Sequence, residues 1–299
     1  MTLKPTILLT GATGFLGSNL LEALLTKGYK VIILKRSTSN SWRIAHLLNQ
    51  VVSYDVDMQP LELAFEQQRI DVVMHTACHY GRNGSEINKI VEGNLMFGLR
   101  ILDACLKFNT ETFFNTDTLL HKHLNVYTLS KKQFVEWLQQ SSGDIQVINL
   151  KLEHMYGEKD GVSKFVPWVL SQLKANESEI KLTKGQQRRD FIYIDDVVFA
   201  YLILLERVSD LSDFNEFDVG TGQLITVRSF IEKLKKVYEV DFGTSVTKLN
   251  FGAIPYRKGE VMMVEVNNQP LIDLGWSVKT KLETGLEIVV KKLNNNLGR

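Results

Sequence analysis

The sequence predicts an α/β protein built on a doubly wound parallel β-sheet, followed by a smaller C-terminal domain. Three observations indicate this class. Short β-branched runs alternate with amphipathic helical stretches in the first half, a glycine-rich turn follows the first run, and the alternation stops after about Lys151. We therefore expect a first domain over residues 1–151 and a second over 152–299, with a later segment near 187–220 crossing back to the first.

The predicted elements of the first domain are short strands that alternate with longer helices. The strands are Thr6–Thr10, Lys30–Lys35, Val51–Asp55, Asp71–Thr76, Thr112–Asn115 and Gln146–Leu150. The helices between them include Leu16–Lys27, Ile87–Lys107 and Tyr127–Gln140. Because β-α-β crossovers are right-handed, these units give one parallel sheet. Beyond it we expect helices over Phe165–Ala175, Val227–Val237 and Leu282–Leu293, and a strand over Phe191–Ile194.

Composition excludes several classes of function. The formal net charge is +1 and the basic residues are scattered, so the sequence predicts neither a nucleic-acid partner nor a membrane partner. The longest apolar run, Val197–Leu205, is too short to span a bilayer. The cysteines Cys78 and Cys105 form no disulfide framework, and His121 and His123 lack metal-binding partners, so no metal is expected. With no secretory signal pattern, we expect a cytoplasmic protein.

The loop after the first strand is typical of a dinucleotide site. Glycines at this turn permit a tight bend, close approach of the backbone to a pyrophosphate, and close packing of helix on strand. The helix that follows presents free N–H groups to the phosphates. The loop residues expected to contact the cofactor are Thr10, Gly11, Thr13, Gly14, Phe15, Leu16 and Gly17.

The end of the second strand indicates which dinucleotide is bound. A carboxylate there would bind the ribose 2′-hydroxyl of NAD, but this chain has Lys35, Arg36 and Ser37. The two cations could pair with the 2′-phosphate of NADP, and the serine could hydrogen-bond it. The alternative is that these are solvated charges at a strand end, as surface lysines and arginines usually are. The sequence favours NADPH/NADP as cofactor.

Tyr127 and Lys131 predict proton transfer. They lie four residues apart at the start of a helix and therefore share one face. Because an ammonium favours the ionised form of a nearby phenol, we expect Lys131 to lower the pKa of Tyr127. Tyr127 could then give or take a proton at a substrate oxygen while hydride moves to or from nicotinamide. Thr116, at the end of the fifth strand, could hydrogen-bond the same oxygen; alternatively it bonds its own backbone.

These motifs together resemble the extended short-chain dehydrogenase/reductase family, which acts mainly on nucleotide sugars. The resemblance spans nearly the whole chain and includes His75-Thr76-Ala77, Asn94, Arg189–Val197 and Leu274-Gly275-Trp276. It implies a catalytic triad of Thr116, Tyr127 and Lys131, with Lys131 also on the nicotinamide ribose. It further implies cofactor contacts from Asp55, Val56, Thr76, Ala77 and Asn94, and a grip on the substrate pyrophosphate by Arg189 and Arg257.

Two departures from the family pattern point to a subgroup. Thr116 and Tyr127 are only eleven positions apart, and Lys151 and His154 stand where many relatives have arginine and asparagine. Segments near His79–Asn83, Asn115–Thr118, Leu152–Gly157, Phe251–Ile254 and Glu260–Met262 look like the bacterial CDP-abequose and CDP-paratose synthases. Those enzymes reduce the 4-keto group of CDP-4-keto-3,6-dideoxy-D-glucose with NADPH and so make the dideoxyhexoses of the O-antigen.

This resemblance implies a substrate site, a nucleotide-sugar partner and a homodimer through the two long helices. The expected substrate contacts are Cys78, His79, Tyr80, Asp117, Thr118, Glu153, His154, Lys164, Phe165, Arg189, Arg257 and Glu260. Structural alternatives are hydrogen-bonded histidines at positions 79 and 154, local pairing of Asp117 and Glu153, and simple packing of Tyr80.

Two other functions remain as alternatives. A nucleotide-sugar 4-epimerase or 4,6-dehydratase recycles tightly bound NAD and usually has a carboxylate after the second strand. A dehydratase also commonly has glutamate where this chain has Thr118, directly after Asp117. A catalytically dead dinucleotide sensor tends to lose the tyrosine or the lysine, and both Tyr127 and Lys131 are present.

Overall fold

The computed structural model describes residues 4–81 and 84–295 and confirms the predicted α/β class. The first six strands are β1 (Ile7–Thr10), β2 (Val31–Lys35), β3 (Val52–Asp55), β4 (Val72–His75), β5 (Thr112–Thr118) and β6 (Gln146–Leu152). The later strands are β7 (His154–Tyr156), β8 (Glu179–Leu182), β9 (Arg188–Tyr193), β10 (Phe214–Val219), β11 (Leu224–Thr226) and β12 (Lys248–Phe251).

The helices occur along the whole described chain, and in its first half they alternate with the strands as expected. They are α1 (Phe15–Thr26), α2 (Glu62–Gln67), α3 (Ile87–Val91), α4 (Phe97–Lys107), α5 (Val126–Gln140), α6 (Phe165–Lys174), α7 (Ile194–Glu206), α8 (Val227–Phe242), α9 (Gln269–Asp273) and α10 (Leu282–Asn295). A π-helical turn, Glu92–Met96, joins α3 to α4 where the sequence predicts one uninterrupted helix. Short 3₁₀ turns cover Ala45–Gln50 and Val208–Asp210.

The central sheet has the strand order β10-β6-β5-β4-β1-β2-β3. β1 pairs in parallel with β2 on one side and with β4 on the other, so the strand order reverses beside β1. In open α/β sheets ligands bind at the carboxyl ends of the strands at such a reversal. Thr10 and His75 are register partners there, directly before the glycine loop and the segment that follows β4.

Strands β1, β2 and β4 of this sheet are buried on both faces, which explains their nearly continuous apolar sequences. β5 and β6 run further than predicted, because they stay in parallel register from Thr112 opposite Gln146 to Thr118 opposite Leu152. The added pairs place Asp117 and Thr118 inside the sheet, beyond the predicted strand Thr112–Asn115. The extension therefore fixes which way each side chain at the end of β5 points.

The chain divides into two compact units. The first comprises residues 1–152, 198–218 and 273–275, and the second comprises 153–197, 219–272 and 276–299. The segment that returns to the first unit is shorter than the expected 187–220, because β9 pairs with β7 and β11 inside the second unit. The second, smaller unit has a core that includes Tyr156, Phe191 and Phe230, whose rings are in contact.

Candidate active site

The glycine loop fits a dinucleotide. Gly11 has a φ of +69°, and a Cβ there would lie 2.7 Å from both the amide nitrogen of Ala77 and Oγ1 of Thr76. A Cβ on Gly17 would overlap the carbonyl oxygen of Gly11. Gly14 precedes α1, and within the described chain no side chain caps this helix. The first-turn N–H groups are thus available to a pyrophosphate, and no Cβ blocks its approach.

The floor beneath the loop is built from residues predicted to contact the cofactor. The buried Thr10 hydroxyl bonds Nδ1 of His75 at 2.9 Å and accepts a hydrogen bond from the Ala77 amide at 3.3 Å. Thr76 Oγ1 donates to the Thr10 carbonyl at 2.7 Å. Burial lowers the pKa of His75 to about 3, with a contribution from Lys131. The imidazole is therefore neutral, and these residues hold β1 and β4 together under Gly11.

At the end of β2, the residues predicted to contact the 2′-phosphate of NADP differ in their surroundings. Lys35 Nζ lies 3.8 Å from Oδ2 of Asp55, and the Ser37 hydroxyl donates to the same oxygen at 2.8 Å. Partial desolvation opposes ionisation of Asp55, but the hydrogen bond from Ser37 and further interactions outweigh it and lower its pKa. Val56 follows Asp55 and bonds the Lys35 carbonyl. Arg36 is exposed, and no described residue pairs with its guanidinium.

A further cation at the loop, Arg43, was not predicted from the sequence. Its Nη1 donates to the carbonyl oxygen of Thr13 at 3.2 Å, and its guanidinium lies 4.5 Å from the ring centre of Trp42. Consecutive turns after Arg36 bring the chain back to the glycine loop. The sequence feature that could have indicated this contact is a second arginine, Arg43, shortly after Arg36 and next to Trp42, on which it can stack.

A capping box sets the start of α5 and so the position of Tyr127. Asn125 accepts from the amide of Thr128 at 2.9 Å, and its own amide donates to Thr128 Oγ1 at 3.1 Å. Tyr127 therefore lies in the first turn of α5, and Lys131 follows one turn later. The Tyr127 ring stacks on Tyr80, with ring centres 5.4 Å apart.

The pKa of Tyr127 is raised, whereas the sequence predicts that Lys131 lowers it. Burial raises the pKa of Tyr127 well above its usual range, and Cys78, Tyr80 and Asp117 add to the increase. Lys131 is only 2% exposed, and burial lowers its pKa, with Cys78 and Asp117 opposing that change. Sequence spacing shows the shared helix face but not the depth of burial, which dominates here. Tyr127 is consequently a neutral phenol near pH 7, suited to donating a proton.

Thr116 is not joined to Tyr127. Its hydroxyl bonds the Tyr201 hydroxyl at 2.6 Å, and Tyr201 also stacks on Phe114. Neighbouring side chains of β5 point to the other face, where Phe113 contacts Phe134 of α5. No hydrogen bond between Thr116 and Tyr127 occurs in the described chain. The structure thus places Tyr127 and Lys131 on α5 and the third triad candidate against α7.

Asp117 and Thr118 are engaged locally. Lys132 Nζ lies 2.5 Å from Oδ2 of Asp117 and donates to the Thr118 carbonyl at 2.6 Å. The hydroxyl of Thr118 accepts from the Leu120 amide at 3.2 Å. Neither side chain therefore projects freely toward a substrate.

Asn94, on the π turn, connects the segment after β4 to α5. Its side chain accepts from the His79 amide at 2.5 Å and donates to the His79 carbonyl at 2.9 Å and to Ser130 Oγ at 3.0 Å. The His79 ring accepts from the Gly81 amide at 3.1 Å, while Cys78 is exposed. Arg82 and Asn83, part of the resemblance, lie outside the described residues. Asn94 thus fixes α5 next to Lys131.

The remaining candidates lie in the second unit. His154 Nδ1 is 2.7 Å from the buried Glu153 carboxylate, and Arg189 pairs with Glu260 at 2.7 Å. Arg257 is exposed, and no described residue pairs with its guanidinium. Lys164 directly precedes α6, and the first residue of that helix, Phe165, stacks on Trp168 with ring centres 6.5 Å apart.

Neither a cluster of metal ligands nor a helix of membrane-spanning character occurs among the described residues. Within 4–81 and 84–295, no group of three His, Cys, Asp or Glu side chains is placed to hold a metal ion. In the same ranges, none of the helices has the length and apolarity needed to cross a membrane.

A glycine loop at the reversal of a doubly wound sheet, with a half-buried tyrosine and a buried lysine one helical turn apart, defines a dinucleotide-dependent enzyme. The model of the NAD dependent epimerase/dehydratase family matches residues 7–220. The chain belongs to this family of extended short-chain dehydrogenases/reductases.

Relatives with known names refine the comparison. The chain is 33% identical to the CDP-abequose synthase of Salmonella typhimurium, over 97% of this chain and 99% of that protein. It is 34% identical to the CDP-abequose synthase of Salmonella muenchen, over 94% and 95% of the two chains. The resemblance to this group is confirmed.

A solved structure supports the fold. The UDP-glucuronic acid 4-epimerase of Bacillus cereus, in complex with UDP-glucuronic acid and NAD, matches with a TM-score of 0.83 and 23% identity. The match covers 97% of this chain and 99% of that one.

Proposed function

We propose that this protein reduces the 4-keto group of CDP-4-keto-3,6-dideoxy-D-glucose with NADPH, as a step in O-antigen dideoxyhexose synthesis. The observation that carries the proposal is the placement of Tyr127, a protonated phenol, one helical turn before the buried Lys131 on α5. Reduction of a ketone requires a proton donor at the oxygen, whereas oxidation of an alcohol requires a base. Similarity to CDP-abequose synthases over nearly the whole chain supports the choice of sugar.

The roles of the chain's own residues follow from their placement. Bound NADPH supplies the hydrogen and electron pair that reduce the carbonyl carbon. Tyr127 gives its proton to the carbonyl oxygen, and the Lys131 ammonium stabilises the phenolate left behind. Thr116 orients the carbonyl: its hydroxyl can accept from Tyr201 and still donate to the substrate oxygen.

The preference for NADPH rests on two arginines near the glycine loop. Arg36 has no described partner to compete with a 2′-phosphate, and Arg43 is held against the loop by Thr13. Arginine suits this role because its planar donors bind phosphate in pairs. Lys35 and Ser37 support the preference less, because both contact Asp55.

The second unit supplies the nucleotide-sugar contacts in this proposal. Arg189 and Arg257 bind the pyrophosphate, with Glu260 fixing the Arg189 guanidinium at 2.7 Å. His154, oriented by Glu153, hydrogen-bonds the sugar. Lys164 and Phe165 are further proposed contacts from the second unit, and the proposed substrate contacts from the first unit are Cys78, His79 and Tyr80.

A nucleotide-sugar 4-epimerase with tightly bound NAD is the second candidate. It is favoured by Asp55, a carboxylate beside the end of β2 that already binds Lys35 and Ser37 and would repel a 2′-phosphate. A 4,6-dehydratase is disfavoured because Thr118 stands where a dehydratase commonly has glutamate, and Lys132 already pairs with Asp117.

We also propose a homodimer through α3, α4 and α5. These helices and the π turn expose Ile87, Met96 and Trp137, which are apolar side chains that a partner surface would cover. The molar mass in solution, measured by light scattering, tests this: twice the chain mass supports the dimer and the chain mass contradicts it.

The reductase proposal is tested by following absorbance of the reduced cofactor. Purified protein should oxidise NADPH when CDP-4-keto-3,6-dideoxyglucose is added. Tyr127→Phe should abolish oxidation yet leave NADPH binding intact, because the lost hydroxyl donates a proton and holds no cofactor phosphate. No oxidation by the wild type, together with activity in an NAD-dependent epimerase assay, would establish the second candidate instead.

A further inference from the structure

A buried ion pair joins β5 to α5 beside the proposed proton-transfer residues. Lys132 Nζ lies 2.5 Å from Oδ2 of Asp117, whose side chain is fully buried. Within the described chain, the second carboxylate oxygen, Oδ1, has no hydrogen-bond partner. Asp117 follows Thr116 and Lys132 follows Lys131, so the pair stands next to a proposed catalytic residue on each element.

Other polar groups around Asp117 bind it less closely than Lys132. Asn149 on β6 donates a long hydrogen bond of 3.5 Å to Asp117 Oδ2 and a shorter one of 2.8 Å to Glu216 on β10. Lys151 pairs with Asp218 at 2.9 Å. Lys132 is therefore the cation in contact with Asp117 in the described chain. The titratable groups of this cluster are Tyr127, Lys131, Lys132, Lys151, Glu216, Asp218, Cys78 and Tyr80.

The charge of Asp117 acts on Tyr127 and Lys131. Burial is the main cause of the raised pKa of Tyr127, and Asp117 adds to it. Asp117 also favours the charged form of Lys131, whereas Lys132 opposes it. In a low-dielectric interior, a carboxylate without its counter-ion disfavours a phenolate nearby. An unbalanced Asp117 would thus hinder proton release from Tyr127.

We infer that Asp117 and Lys132 are positioning residues for Tyr127. Lys132 balances the negative charge of the buried Asp117 carboxylate, and Tyr127 can therefore release its proton during turnover. The inference rests on the proposed role of Tyr127 as proton donor. It assigns a role to the Asp117-Thr118 sequence: Asp117 provides the carboxylate that pairs with Lys132, and Thr118 provides the carbonyl that also binds Lys132.

The test measures the titration of residue 127 without any substrate. 3-Fluorotyrosine, a stronger acid than tyrosine, is placed at position 127 and followed by ¹⁹F NMR. In Asp117→Asn the carboxylate is gone and Lys132 remains, so the pKa at position 127 should fall by on the order of one unit. In Lys132→Met, the buried Asp117 carboxylate loses its counter-ion. The pKa at position 127 should therefore rise by a similar amount.

Matched variants separate charge from loosened packing. The double variant Asp117→Asn with Lys132→Met has no buried charge, so position 127 should titrate close to the wild-type pH. Lys132→Arg keeps the cation and should do the same. Loosened packing would expose position 127 and lower its pKa in both single variants. If the pKa at position 127 shifts equally and in the same direction in both single variants, or does not shift in Asp117→Asn, the inference is overturned.

The titration also separates this inference from the proposed function. Opposite shifts in the two single variants with no NADPH oxidation would support the charge balance and reject the reductase. NADPH oxidation by the wild type with unchanged titration in both single variants would support the reductase and reject the charge balance.

Discussion

The buried imidazole of His75 makes the stability of the fold depend on pH in a calculable way. His75 is fully buried among Phe97, Phe113 and Phe134, and its Nδ1 bonds Thr10. Burial lowers its pKa from 6.5 to about 3. The unfolded chain therefore binds a proton at this position below about pH 6.5, whereas the folded chain does not until about pH 3. The contribution of His75 is fully present above the unfolded pKa and is lost as the pH falls.

Between pH 7 and pH 4.5, linkage at this single group should cost about 2.5 kcal/mol of unfolding free energy, a large share of the ~5–15 kcal/mol that is typical of a folded domain. Urea unfolding at the two pH values measures the loss. His75→Gln removes the titrating group. The unfolding free energy of this variant should therefore fall between the two pH values by about 2.5 kcal/mol less than that of the wild type. The matched control His46→Gln, at an exposed histidine, should lose as much as the wild type. Equal losses in His75→Gln and wild type would refute the argument.

Three other predictions concern the cofactor loop and β5. Arg36→Asp should shift binding from NADPH toward NADH, and Arg43→Met should weaken NADPH binding by about tenfold or more, since a charge-assisted hydrogen bond is worth ~1.5–3 kcal/mol. Fluorescence titration with both cofactors measures the two affinities, and an unchanged ratio of NADPH to NADH affinity would exclude a 2′-phosphate contact. Gly17→Ala should abolish dinucleotide binding, because its Cβ would overlap the Gly11 carbonyl, whereas Gly143→Ala, with no atom within 4 Å of the new Cβ, should bind normally. Tyr201→Phe should lower the unfolding free energy by about 1–2 kcal/mol through loss of the bond to Thr116, and urea unfolding unchanged from wild type would show that this bond contributes nothing.

The elements of the first unit could be predicted because each carries a clear local pattern. β1, β2 and β4 are short apolar runs buried on both faces, and the glycine loop needs backbone geometry that only glycine supplies. The extension of β5 could not be predicted in this way, since polar residues such as Asp117 lower the strand propensity of its end. Pairing with β6 overrides that preference.

The site was predictable in its residue types but not in its electrostatics. The Tyr127–Lys131 spacing predicts a shared helix face, yet the depth of burial that sets the pKa of Tyr127 comes from distant segments of the chain. The side chain of Thr116 points toward Tyr201 because of the strand register, which the local sequence does not determine. Arg43 and the Asp117–Lys132 pair depend on how turns and helices fold back onto the sheet.

The most direct test of the reductase is the fate of the hydrogen carried by the cofactor. NADPH deuterated at the transferable position of the nicotinamide is incubated with the protein and CDP-4-keto-3,6-dideoxyglucose, and the sugar product is examined by NMR. The account predicts deuterium at C4 of a new alcohol, in an amount equal to the NADPH consumed. A product without deuterium at C4, or conversion of a sugar without consumption of NADPH, would contradict it.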